Sequence, residues 1–234
     1  MEHTEAKKAH WTGWLWKAGV AFLLLALVGA LAFKIFQPIQ VLPRIRLAPG
    51  FALTRQDGGR LTNEDLRGKF VVYSFASTRC GQACDSMNGM MKQLQDRLPS
   101  MNTGGIPVQL VTIMVDPTQD TPEAMAAYAR ELGADPQRWT FVTLQDPKLL
   151  KTIVGGGFEA YYQVNDDGSL SIDPRIVLVD GWGLIRSEYR YQTLRPDIER
   201  IVRHLGVLAE EVQNSQGASR LAYEAAHLFL CYTP

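Results

Sequence analysis

Two runs constrain this chain more than anything else in it: KFVVYSFAS, Lys69 to Ser77, and VQLVTIMVD, Val108 to Asp116. Both are apolar on successive residues, so a strand formed from either has two faces to hide. A sheet covered by helices on both sides meets that need. Between the runs, Met87, Met90, Met91, Leu94 and Leu98 recur at helical spacing from about Ala83 to Leu98. DTPEAMAAYARELG then starts a second helix: Asp120 or Thr121 can cap it, Pro122 suits its first turn, and Gly133 ends it. TFVTL reads as a short strand and DPKLLKTIVGG as a short helix closed by glycines. RIVLVDGWGLIRSEYR reads as a β-hairpin turning at Asp180 to Gly183, and RPDIERIVRHLGVL as another helix. FALTRQDGGRLT, near the start of the domain, reads as a small hairpin with Asp57-Gly58 at its turn. The order predicts an α/β fold with a mixed central sheet flanked by helices, because a tight turn joins the last two strands.

The remaining segments divide the chain. Residues 1–13 form an N-terminal tail. Residues 14–36 hold the stretch AGVAFLLLALVGALAF, Ala18 to Phe33, which has no charge and lies between Lys17 and Lys34. Lysines at both ends can snorkel, and Trp11, Trp14 and Trp16 resemble an interfacial aromatic belt. This reads as one membrane-spanning helix. The competing reading is a cleaved leader ending at Ala30–Ala32; the apolar pattern continues through Ile35 and Phe36, which favours the span. If the tail stays cytoplasmic, the domain lies on the periplasmic side of the inner membrane. Residues 37–50, with Pro38, Pro43 and Pro49, read as a semi-extended linker. The domain occupies 51–208. A tail over 209–234 places Leu221, Ala225, Leu228 and Cys231 near helical spacing, as for a helix packed on its own domain or docked on a partner.

The 234 residues carry 24 acidic and 24 basic side chains, with no basic run to track phosphates, so no nucleic-acid partner is expected. Three cysteines are too few to staple a scaffold. Cys80 and Cys84, in STRCGQACDSMNGMM, therefore call for a role of their own. Cys80 follows a buried strand at the start of a helix, where backbone N–H groups and the helix dipole favour a thiolate. Cys84, four residues on, shares a face with it if both are helical. Such a pair can form a disulfide or hold one Cu(I) ion; two small buried hydrophobes are the bland alternative. Arg79 adds positive charge beside Cys80. A thioether from Met87, Met90 or Met91 could complete a Cu(I) site, although methionines at this spacing usually fill cores.

FVVYSFASTRCGQAC resembles the strand and metal-binding loop of the SCO/SenC family. LTNEDLRGKFVVYSF and VQLVTIMVDPTQDTPEAMAAYARELG are similar to that family's segments before and after the loop, over about Phe51 to Leu208. The resemblance implies a membrane-anchored thioredoxin-like fold and a copper chaperone, or a thiol–disulfide reductant, in cytochrome c oxidase assembly. It implies Cys80 and Cys84 as copper ligands or redox cysteines and matches Asp116 to an aspartate after the second strand. The family's third ligand, a histidine, is missing: an ungapped count back from Asp180 puts Ile172 there, with Asp173 adjacent. His3, His10, His204 and His227 lie elsewhere. Weak or absent Cu(II) binding is the expectation. The same count sets Pro174 where thioredoxin-like reductases carry a cis-proline facing their cysteines, so a cis bond is expected there. The partners expected are the membrane and cytochrome c oxidase or other respiratory-complex subunits. Two readings compete with copper handling: a thioredoxin-like reductase, and a non-catalytic accessory subunit of a respiratory complex.

Overall fold

The computed structural model describes the backbone of residues 3–36, 39–165, 169–190, 196–217 and 219–229; the side chains of 3–13, 30, 32–36, 83, 228 and 229 are not described. The chain divides into two compact units, Met1–Gln40 and Val41–Pro234.

The first unit is one helix, α1, His3–Phe36. Its described side chains are exposed, with Trp14, Trp16, Phe22, Leu23, Leu25 and Leu31 all open. Among the described residues no helix is long and apolar enough to cross a membrane. The described side chains of α1 cover 14–29 and 31, a shorter run than the ~20 residues a span needs.

The second unit contains β1 (Arg46–Leu47), β2 (Ala52–Arg55), β3 (Arg60–Thr62), β4 (Phe70–Ala76), α2 (Gln82–Arg97), β5 (Val108–Met114), α3 (Pro122–Glu131), β6 (Trp139–Thr143), α4 (Pro147–Lys151), β7 (Tyr162–Val164), β8 (Leu170–Ile172), β9 (Arg175–Val179), β10 (Leu184–Arg190), α5 (Ile198–Asn214) and α6 (Ser219–Phe229). The sheet runs β1-β10-β9-β4-β5-β6-β2-β3, and β7 pairs β8 separately. β4, β5 and β6 are parallel, while β9 runs antiparallel to β4 and β10 antiparallel to β9. This is the predicted mixed sheet, with the two doubly apolar runs at its centre. All seven residues of β4 are buried. Phe70, Val72 and Ala76 join one core layer with Leu110, Met114, Met87, Met91, Met125 and Leu205. Val71, Tyr73 and Phe75 join the opposite layer with Val111, Ile113, Leu150, Val154 and Phe158. The period-2 alternation of the strands thus splits one apolar run between two helix-covered faces.

Helix ends follow local chemistry. Thr121, not Asp120, caps α3: its hydroxyl accepts the Ala124 N–H at 3.3 Å, with Pro122 at the first position. Asp146 caps α4, accepting from the Lys148 and Leu149 N–H groups, and a π-helical turn over Thr152–Gly157 extends that helix.

Two boundaries differ from the sequence reading. The domain starts at Val41 rather than Phe51. Val41 and Leu42 are buried, β1 pairs with β10, and the Arg186 guanidinium donates to the carbonyls of Leu42 (2.7 Å) and Pro43 (3.1 Å). At the other end, α5 runs on to Asn214, and α6 packs on it. The stripe that α6 buries is Tyr223 and Ala226; Leu221 is 79% exposed, and Cys231 lies outside the described residues. An ion pair, Arg44–Glu224 at 3.0 Å, and a hydrogen bond between His227 Nε2 and Glu211 at 2.9 Å hold α6; burial lowers the His227 pKa, so its imidazole is neutral at pH 7.

Candidate functional site

β4 ends at Ala76, and the chain turns through residues 77–81 before entering α2. Gly81 precedes α2 at φ +47°, ψ −134°, a conformation that suits glycine because a Cβ would be strained there. Cys80 therefore lies in the turn before the helix and Cys84 in its first turn, so the shared-face argument from helical spacing does not apply. The turn brings the pair together instead. Cys80 and Cys84 form a disulfide with a Cα–Cα distance of 5.7 Å. Both cysteines are buried, Cys84 at 1% exposed and Cys80 at 8%, which makes Cys80 the more exposed residue of the two. The Ser77 N–H points at Cys80 Sγ at 3.4 Å, and the Ser77 carbonyl lies 2.8 Å from the same sulfur. The first would stabilise a thiolate; the second suits a thiol proton after reduction.

Two aspartates at the end of β5 hold this turn. Asp116 accepts from Arg79 Nη2 at 2.5 Å and Nε at 3.2 Å, and from the Thr118 hydroxyl at 2.6 Å. Burial would raise its carboxyl, but the Thr118 bond and the Arg79 charge outweigh burial and hold it below the usual range. Arg79 is thus engaged by Asp116, a correction to its expected role as a free cation beside Cys80. Asp120 is buried beneath the turn. It accepts from the Thr78 N–H (2.8 Å), the Thr78 hydroxyl (2.7 Å), the Ser77 hydroxyl (3.2 Å) and the Asp116 N–H (2.9 Å). Burial pushes its carboxyl up, against the opposing Thr78 bonds. The sequence suggests Asp120 only as a helix cap. The signal for more is its place in the DTP stretch, downstream of a loop rich in hydroxyls.

Ile172 and Asp173, the positions that the ungapped count from Asp180 offers for a third ligand, lie just before β9. Ile172 closes β8, half-buried against both core layers, and Asp173 donates its N–H to the Tyr161 carbonyl at 2.9 Å. Pro174 precedes β9. The antiparallel register pairs Ser74 with Ile176, so continuing it sets Pro174 level with Ala76, at the sheet end that carries the cysteines. Its peptide bond is trans, since no cis bond occurs among the described residues. This corrects the expected cis-proline: a trans proline with fixed φ simply leads into the strand. His204 is buried on α5, its Nδ1 2.7 Å from the Tyr189 hydroxyl. His227 pairs with Glu211, which also accepts from Arg186, itself bonded to Asp180. Asp180 follows Val179, which pairs with Val71, so this network lies at the end of the sheet opposite the cysteines. Met87 and Met91 are core side chains in the same layer as the cysteines.

Among the described residues no group of three or more metal-ligating side chains is assembled. As a disulfide the pair has no thiolate to offer; reduced, it offers two soft donors. That set suits Cu(I) and lacks the harder third donor that Cu(II) favours. Among the described residues no third donor joins the two cysteines to make a three-donor copper site. They do make a disulfide at the carboxyl end of a parallel strand, where ligand and reactive groups of open α/β sheets gather.

The comparisons agree with this geometry. The chain is 29% identical over 126 residues to the SCO1 protein homolog of Bacillus subtilis, covering 54% of this chain and 60% of that protein. It is 27% identical over 164 residues to a protein of Stutzerimonas stutzeri whose name proposes copper binding, covering 70% and 79% of the two chains. Among solved structures, a SCO1/SenC family lipoprotein from Bacillus anthracis superposes with a TM-score of 0.63 at 27% identity, over 70% of this chain and 96% of that one. Arabidopsis thaliana ScoI with copper bound shows the same fold, with a TM-score of 0.58 at 23% identity over 71% and 99% of the chains. The SCO1/SenC family model matches residues 41–210, beginning at the residue where the folded unit begins. The chain belongs to the SCO1/SenC family.

Proposed function

We propose that this chain is a membrane-anchored thiol–disulfide protein of cytochrome c oxidase assembly, which works through Cys80 and Cys84 and handles copper as Cu(I) cargo. The carrying observation is a formed Cys80–Cys84 disulfide with no third metal donor gathered beside it among the described residues. Relatives named for SCO1 support the oxidase setting, as does a structural neighbour described as a Sco-family oxidase assembly protein with a disulfide switch. Copper-bound neighbours support the cargo reading. The apolar run Ala18 to Phe33 and the tryptophans before it support an anchor in the inner membrane, with the domain on its periplasmic side.

An accessory-subunit role draws less support, since the tail offered as its docking helix is engaged on its own domain through Tyr223, Ala226, the Arg44–Glu224 ion pair and the His227–Glu211 hydrogen bond. Replacing Cys80 and Cys84 together by serine in the host separates the two. The redox reading expects loss of oxidase assembly with the protein still present at its usual level. Unchanged assembly would leave the accessory role standing.

A further inference from the structure

We propose that Asp120 is a positioning residue for the cysteine pair: it fixes Ser77 and Thr78, and through the Ser77 main chain it fixes the Cys80 sulfur. This deepens the redox reading above and rests on it.

One carboxylate joins the ends of the two central parallel strands. Oδ2 accepts the Asp116 N–H at the end of β5. Oδ1 accepts three donors from the turn after β4: the Thr78 N–H, the Thr78 hydroxyl and the Ser77 hydroxyl. The Ser77 hydroxyl oxygen in turn accepts the Arg79 N–H at 3.2 Å. Ser77 then makes the contacts that matter for sulfur: its N–H faces Cys80 Sγ, and its carbonyl accepts the Cys80 N–H at 3.2 Å. The turn has no side-chain cap of its own at α2, so these bonds, with the Arg79–Asp116 pair, order it. Ordering a turn before its disulfide closes lowers the conformational entropy lost on closure. The Ser77 N–H opposes this by favouring a Cys80 thiolate, but one 3.4 Å contact to sulfur is weak beside the closure entropy, so the clamp on balance favours the oxidised pair.

The exchange it governs balances as follows. A dithiol attacks as thiolate at the Sγ of Cys80, the more exposed residue of the pair; the Cys80–Cys84 bond breaks, and Cys84 leaves as a thiolate and takes up a proton. The reagent's second thiolate then displaces Cys80 from the mixed disulfide. Two electrons and two protons reach the protein pair, and the reagent leaves as a cyclic disulfide.

The test equilibrates the full chain with reduced and oxidised dithiothreitol, traps thiols by alkylation, and reads the fraction reduced by mass. Asp120→Ala is expected to shift the equilibrium about tenfold toward the dithiol, about 30 mV for two electrons. In Asp120→Asn the amide oxygen still accepts the three turn donors but the NH2 faces the Asp116 N–H, so a shift in the same direction smaller than that of Asp120→Ala, about threefold, is expected. Leu53→Ala, in the opposite core layer, controls for lost stability and is expected to leave the equilibrium unchanged. Should Asp120→Ala not fold, Ser77→Ala carries the test with an expected shift of about threefold in the same direction. The proposal is overturned if Asp120→Ala or Ser77→Ala titrates as wild type, or if Leu53→Ala shifts as far. A wild-type pair that resists the dithiol while folded would instead remove the redox reading itself.

Discussion

Buried in the layer beside α5, His204 stays neutral. Burial, with Arg203 and Arg200 nearby, lowers its pKa from 6.5 to about 4. As pH falls from 6.5 toward 4 the unfolded chain takes up the proton first, so stability falls through that window and is whole above it. Denaturant midpoints at pH 7 and pH 4.5 should show the loss. His204→Gln, which does not titrate, should reduce the difference; an equal loss in both proteins would contradict the assignment. The Asp116 carboxyl is shifted in the same direction, so its contribution is present at neutral pH and is lost as pH falls below the ordinary carboxylate range. The sequence exposes some of these residues better than others. Cys80, Cys84 and Asp116 are legible because each ends a recognisable run. Asp120 is not, because its work is done 42 positions away, on Thr78, and a long-range side-chain bond leaves no periodic trace. The isomer at Pro174 is hidden for a related reason. Register alone sets its place beside the cysteines, and register does not choose between cis and trans.

The elements divide in the same way. β4 and β5 are plain in the sequence because a seven-residue apolar run suits a strand buried on both faces and little else. Val41 and Leu42 are hidden because two apolar residues among prolines resemble a linker until Arg186 is seen to bond the carbonyls of Leu42 and Pro43. β7 and β8 pair only with each other and are three residues each, too short for an alternating pattern. The buried face of α6 is hard to read because Leu221, an apolar candidate, points to solvent while Tyr223 and Ala226 turn inward. Removing residues 215–234 should cost on the order of 2 kcal/mol through the lost burial. The thermal midpoint should fall by about 4–8 °C for a domain of this size. An unchanged midpoint would mean that α6 is not bound to α5 in solution and would return it to the pool of partner-docking segments.

At the scale of the whole molecule, chemistry gathers at one end of the sheet and structural charge at the other. The cysteine turn, Asp116 and Asp120 stand at the carboxyl ends of β4 and β5. The Asp180–Arg186–Glu211–His227 network ties α5, α6 and the β9–β10 turn together at the far end. Copper is the proposed cargo, while the donor set gathered among the described residues is two thiolates, present after reduction of the disulfide. What this domain can do without any further donor is exchange a disulfide. The most direct measurement is a redox titration of the Cys80–Cys84 pair in the folded full-length chain, read by thiol alkylation and circular dichroism together. A single reversible two-electron transition, with the fold intact on both sides of it, is the predicted result. A disulfide that yields only as the protein unfolds would contradict the account.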